Sequence, residues 1–162
     1  MSETSTLIAF LRARYGEEEM WAHEASRDGD RYTPAGEHWR WECEATGTPI
    51  RIDPVLDAYV QGVDRSSVGL RSVEEYPTTW GATIPHLVIR GQAETSSAAA
   101  FHIAHHDTAH VLADVAAKRR IVDDCAEHGD VSMSGRTLFA LAAAYAQHPD
   151  YQQTWEADLD PD

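Results

Sequence analysis

Four of the nine histidines fall within nine residues, in Phe101-His102-Ile103-Ala104-His105-His106-Asp107-Thr108-Ala109-His110. On one continuous helix His102, His106 and His110 stand at i, i+4 and i+8 and share a face. Neutral imidazoles at i and i+4 can share a divalent transition-metal ion, zinc being a common choice. The Asp107 carboxylate would complete or orient such a site. His102, His106 and Asp107 would hold the ion. His148, one of Glu17, Glu18 and Glu19, His23 or Asp150 would supply what is missing. A metal ion held there lowers the pKa of a bound water and makes hydroxide near neutral pH, which is the chemistry of a metal-dependent hydrolase.

The same residues admit a purely structural reading, which carries more weight. Asp107 before Thr108 has the form of a helix N-cap, its carboxylate accepting from the free N–H groups of a new helix. His105 and His106 then close the preceding helix, where the dipole favours positive charge. A break at Asp107 would dissolve the i, i+4 ladder from His106 to His110. No HExxH pattern places a general base beside the histidines. His148-Pro149-Asp150 reads first as a helix stop, with His148 near a C-terminus.

Other residues have plain readings too. Glu17-Glu18-Glu19 is expected to be a solvated face. Trp21, Trp39, Trp41 and Trp155 are expected to be packing anchors. Lys118, Arg119 and Arg120 should pair with Asp114, Asp123 and Asp124 along their helix. Cys125 is expected to pack rather than react. Phosphate loops, GxSxG, Rossmann glycines and zinc cysteine pairs are absent from the sequence.

These residues must be positioned by a recognisable order of elements. Leu7, Phe10, Leu11 and Tyr15 lay one apolar stripe along a helix from about Ser5 to Arg27, with Gly16 a candidate kink and Asp28-Gly29-Asp30 its end. Thr33-Pro34-Ala35-Gly36 reads as a turn. Residues 39–44 alternate as a strand, turn at Thr46-Gly47-Thr48-Pro49 and return at Ile50-Arg51-Ile52 as a hairpin. Asp53-Pro54 opens a short helix through Tyr59. Strands follow at 68–73 and 85–90, the latter closed by Gly91, with a loop from Tyr76 to Gly81. Helices then run from Ser96 or Ser97 to His106, from Asp107 to Glu127 with Val111, Leu112, Val115 and Val122 inward, and from Arg136 to Gln147 with Leu138, Leu141, Ala142 and Tyr145 inward. Gly129 stops the second of these. The expected fold class is α+β. A small, mainly antiparallel sheet from the central segment packs against an N-terminal helix and two or three C-terminal helices, in one domain over 1–162 with 156–162 frayed.

Composition narrows the function. The chain has 162 residues, 43% hydrophobic and 25% charged, a globular balance. Lys plus Arg number 13 and Asp plus Glu 27, a net charge of −14, which disfavours general nucleic-acid binding and anionic membrane surfaces. The chain is expected to lack a membrane span and a signal peptide. Cys43 and Cys125, far apart and outside any CxxC, suit free thiols in a cytoplasm.

Particular strings resemble a known family. Leu7-Ile8-Ala9-Phe10-Leu11-Arg12-Ala13-Arg14 is similar to the opening of DUF6221, a family of uncharacterised actinobacterial (Streptomyces-type) and phage proteins. The run from His102 to Leu112, followed by Asp114-Val115 and Ala117-Lys118-Arg119-Arg120-Ile121, resembles the family's HIARHDPARVL and the E/D-V-x-A-K-R-R-I after it. Tyr145-Ala146-Gln147-His148-Pro149-Asp150-Tyr151 and Trp155 resemble its close. The similarity covers about half the chain, at both ends, and leaves about 42–95 unaligned. The family often has Pro at the position of Thr108, which favours the N-cap reading, and usually Arg at those of His105 and His110. The resemblance therefore implies a ligand set of His102, His106, Asp107 and His148. It implies no activity.

Three functions are in view. The first is a protein-interaction module of phage or mobile-element type, whose acidity would steer a basic partner; imitation of DNA is a weaker form of it. The second is the metal-dependent hydrolase, whose His-Asp doublet resembles that of the HD phosphohydrolases without the rest of their pattern. The third is a structural role through oligomerisation. The interaction module is favoured slightly.

Overall fold

A computed structural model describes residues 2–27, 35–53, 58–59, 67–77, 80–89, 97–128 and 131–155. The elements are α1 (Glu3–Arg27), β1 (Trp39–Cys43), β2 (Ile52–Asp53), β3 (Ala58–Tyr59), β4 (Val68–Pro77), β5 (Thr83–Ile89), α2 (Ser97–His105), α3 (Thr108–His128) and α4 (Val131–Ala143), then a 3₁₀ turn at Gln153–Trp155. The class is α+β. The chain divides into two compact units, one formed by Met1–Met20 with Ala113–Asp162 and the other by Trp21–Leu112. No helix among the described residues is long and apolar enough to cross a membrane.

In the first unit the stripe read from the sequence is the buried one. Ser2 caps α1, its Oγ accepting from the Ser5 N–H at 3.2 Å. Leu7, Phe10, Leu11 and Tyr15 are buried. The Phe10 ring meets Trp155 at 5.0 Å between centroids, and Val115, Val122, Leu138 and Ala142 are buried too. α1 runs through Gly16 unbroken, because the packed stripe outweighs a cost of about 1 kcal/mol for one glycine. Burial pushes the Tyr15 phenol up to about 12, with the carboxylates of Glu18 and Asp114 adding to it.

The glutamates of α1 are not merely solvated. Glu17 pairs with Arg14 at 2.9 Å, Glu18 accepts from the Tyr145 hydroxyl at 2.7 Å and Glu19 pairs with Arg119 at 2.6 Å. Of the expected basic-patch pairs, Lys118–Asp114 forms. Arg119 instead takes Glu19, and Asp123 takes Arg12 at 2.7 Å. Helix spacing offered i±4 partners; for Arg119 and Asp123 the tertiary partners won. Trp41 and Trp155 are buried anchors, but Trp21 is 67% exposed, because the face that α1 buries there is that of Ala22, one residue round the helix.

The second unit holds an antiparallel sheet of order β1-β4-β5 and a separate pair β2-β3. β1 and the segment after it do turn back. The Cys43 N–H meets the Thr48 carbonyl and the Ile50 N–H the Trp41 carbonyl, with one bridge from Glu42 to Pro49. That hairpin stops there. The full partner of β1 is β4, and Ile52-Asp53 pairs with Ala58-Tyr59, so a strand stands where a helix through Tyr59 was expected. β4 also extends through Tyr76-Pro77, read above as loop. α2 packs against β1 and β2. The core joins Trp41, Ile50, Val68, Leu70 and Ala100. α4 begins at Val131 and ends at Ala143, earlier than expected at both ends. The Thr33-Pro34 turn, the Pro54 helix start, the Ser96 cap, the helix end at 28–30, the stops at Gly91 and Gly129 and the 156–162 tail lie outside the described residues.

The β4–β5 ladder slips between Arg71↔Leu87 and Glu75↔Pro85, where three residues of β4 face His86 alone. Ser72, fully buried, repairs the gap. Its Oγ accepts from the His86 N–H at 2.8 Å and donates to the Glu74 carbonyl at 2.8 Å. Ser72→Ala strands a buried N–H and is expected to lower the unfolding free energy by about 1–3 kcal/mol. An unchanged urea midpoint would refute this role for the hydroxyl.

Candidate functional site

The chemistry-bearing residues cluster at the junction of α2 and α3, and a short strap, Ala35–Trp39, positions that junction. The strap starts under α1, the Gly36 N–H donating to the Ser26 carbonyl at 3.0 Å. Gly36 has φ of +77°, and a Cβ there would stand 2.5 Å from a Glu74 carboxylate oxygen and 3.0 Å from Ser72 Cβ, so glycine is required on two counts. The Glu37 carbonyl accepts from the Ala109 N–H at 3.0 Å and from the Thr108 hydroxyl at 2.9 Å. The Asp107 carboxylate does the rest. Oδ1 accepts from the His110 N–H at 2.9 Å, and Oδ2 accepts from the Trp39 N–H at 3.3 Å. Asp107 is therefore the N-cap of α3, and the helix breaks there.

The break does not scatter the histidines. The rings of His102 and His106 lie 4.1 Å apart between centroids, those of His106 and His110 5.0 Å, and those of His105 and His110 5.1 Å. The sequence argument tied their proximity to a continuous helix. The turn at His106-Asp107 instead folds His110 back beside the end of α2. All four rings are exposed. His106 Nδ1 sits 3.0 Å from the His102 carbonyl. A carbonyl only accepts, so in the neutral ring Nδ1 carries the proton and Nε2 keeps its lone pair. Among the described residues, no three His, Cys, Asp or Glu side chains are already grouped as a metal site.

His148 lies in the other unit. Its Nδ1 accepts from the Asp150 N–H at 3.1 Å, which places the neutral ring's proton on Nε2. The ring packs edge-on against Phe10 at 5.9 Å.

Two features escaped the sequence reading. One is His38, whose Nδ1 lies 2.6 Å from Glu74 Oε1; the hydrogen bond to Glu74 raises its pKa above 6.5, with the charges of Glu74, Asp107 and Glu37 adding to it. The other is a groove of about 340 Å³ between β1 and α2, walled by Trp39, Trp41, Ile50, Phe101 and Ala104 and carrying Arg40 and Arg51. Its floor is pinned by the Trp41 indole, which donates to the Ala100 carbonyl at 2.7 Å. Phe101, 45% exposed, joins groove to cluster by stacking on His105 at 5.7 Å and 10°. Period-two alternation could mark β1 as a strand, but not which helix would wall it.

The profile of a family of unknown function, DUF6221, matches residues 4–157. The chain belongs to that family. Its match spans the central residues 42–95 as well as both ends. No curated protein and no solved structure matches the chain. The matched residues include the cap and the imidazole cluster at 102–110.

Asp107→Ala is expected to cost about 1–2 kcal/mol as the cap of α3 is lost. Asp107→Asn keeps the cap through its one oxygen but sets an amide NH2 against the Trp39 N–H, so it should fall between wild type and Asp107→Ala; equal urea midpoints for all three proteins would overturn the cap assignment. His38 should titrate above 6.5 by NMR and fall back in Glu74→Gln. Because the folded value is raised, its contribution to stability is complete below the ordinary histidine pKa and is lost as pH rises through the folded one. A His38 midpoint insensitive to Glu74→Gln would refute the pairing.

Proposed function

We propose that this chain is a protein-interaction module, in the phage or mobile-element setting that the family resemblance implies, and that the β1–α2 groove is its docking face. The supporting observation is the groove's composition. Three aromatic residues, Ile50 and two arginines meet on one concave surface, in a chain of net charge −14. Aromatic and arginine side chains dominate binding hot spots. The held Trp41 indole pre-forms the floor, so little ordering cost falls on association.

The occupant is a partner segment that sets a bulky apolar side chain beside a carboxylate. The apolar group fills the volume between Trp39, Trp41 and Phe101. The carboxylate is drawn to the exposed Arg51, Arg40 being already held by Glu42 at 2.7 Å, and a lysine-rich segment would be repelled there. Net acidity pointed to a basic partner; the local charge of the groove points the other way, and local charge decides at contact distance because water and salt screen the remainder.

A displayed random-peptide library tests this directly. Wild-type protein should enrich segments with Phe, Leu or Trp next to Asp or Glu. Binding should fall roughly ten-fold or more in Phe101→Ala and in Arg51→Glu. Both residues are exposed, so circular dichroism should match wild type. No enrichment, or undiminished binding in both variants, would overturn the proposal.

A further inference from the structure

We infer that the end of α2 binds one divalent transition-metal ion, with His102 and His106 as primary ligands and His110 as the third. This rests on the imidazole cluster alone and is independent of the docking face. Imidazole nitrogen selects zinc, nickel or copper over magnesium or calcium, which prefer oxygen.

Four observations carry it. The first is the tautomer of His106: with Nδ1–H given to the His102 carbonyl, Nε2 of the neutral ring is the acceptor. Metal-bound histidines characteristically donate their other nitrogen to such a group, which fixes the ring and raises its basicity. The second is spacing. Two imidazoles sharing an ion through Nε2 at about 2.0–2.1 Å set their ring centres roughly 4.5–5 Å apart. The cluster holds His106–His110 at 5.0 Å, within that range, and His102–His106 at 4.1 Å, a pair that must open by about half an ångström to share an ion. The third is freedom: the rings are exposed, so rotamer changes of His102 and His110 on the nanosecond scale can bring their nitrogens to the point faced by His106 Nε2, which they do not yet share. The fourth is field. His102 and His106 stand at the C-terminal end of the nine-residue α2, where outward carbonyls favour a cation.

The structure also revises the ligand set read from the sequence. Asp107 spends both oxygens on the N–H groups of His110 and Trp39. His148 spends its Nδ1 on the Asp150 N–H. His110, which a helix break was expected to remove, takes their place, and water fills the remaining positions.

The test is calorimetric titration of zinc chloride into metal-stripped protein without a histidine tag, at pH 7.5 in a non-coordinating buffer. Wild type should take up one ion through the cluster. His102→Ala and His106→Ala should each weaken that uptake by at least ten-fold, His110→Ala by less, and His148→Ala and Asp107→Asn not at all. Imidazole NMR signals of His102 and His106 should shift with zinc in the intact chain, which keeps the assignment testable if one variant folds poorly. No zinc uptake by wild type overturns the inference. So does uptake that survives both alanine substitutions, or that is lost only with His148→Ala.

Discussion

The first turn of a helix has N–H groups with no partner inside the helix, and in α3 that need organises the second unit. The Ala109 N–H reaches the Glu37 carbonyl and the His110 N–H reaches Asp107. The Glu37 acceptor comes from a strap that is already committed elsewhere. Gly36 hangs from α1, His38 is held by Glu74, and Trp39 opens β1. One short segment therefore ties the end of α1, the sheet and the start of α3. Gly36 is its narrowest point, because any side chain there would meet Glu74 and Ser72.

From that constraint the functional surface follows. Capping α3 on Asp107 turns the chain sharply after His106, which sets His110 beside the end of α2 and leaves four imidazoles on one outer surface. The same Asp107 carboxylate holds the Trp39 N–H, so β1 is drawn under α2 and the groove between them takes its walls. A cap, an imidazole cluster and an aromatic groove are thus three consequences of one set of hydrogen bonds. The cap reading and the histidine-cluster reading exclude each other on paper only if a cluster demands a continuous helix. A turn satisfies both.

Local patterns were legible wherever one face of an element is buried. The stripe of α1, the strand periodicity of β1, the strand at Val68 and the Asp107 cap depend on neighbours within a turn or a strand, and each was read correctly. At Ala58-Tyr59 a helix was expected, and only pairing with Ile52-Asp53 makes those residues a strand. The extension of β4 past Val73 could not be read either, since it relies on a bulge repaired by the Ser72 hydroxyl from inside the sheet.

By itself the sequence determined the α+β class, the family and the acidic character and offered Asp107 as a cap, because each follows from composition or from contacts close along the chain. Tertiary structure alone decided the partners of Glu18 and Glu19, the exposure of Trp21, the pairing of His38 with Glu74 and the groove of Trp39, Trp41 and Phe101. These join residues separated by tens of positions. Many distant pairings are chemically equivalent in a chain with so many carboxylates, and only the packing of the core selects among them.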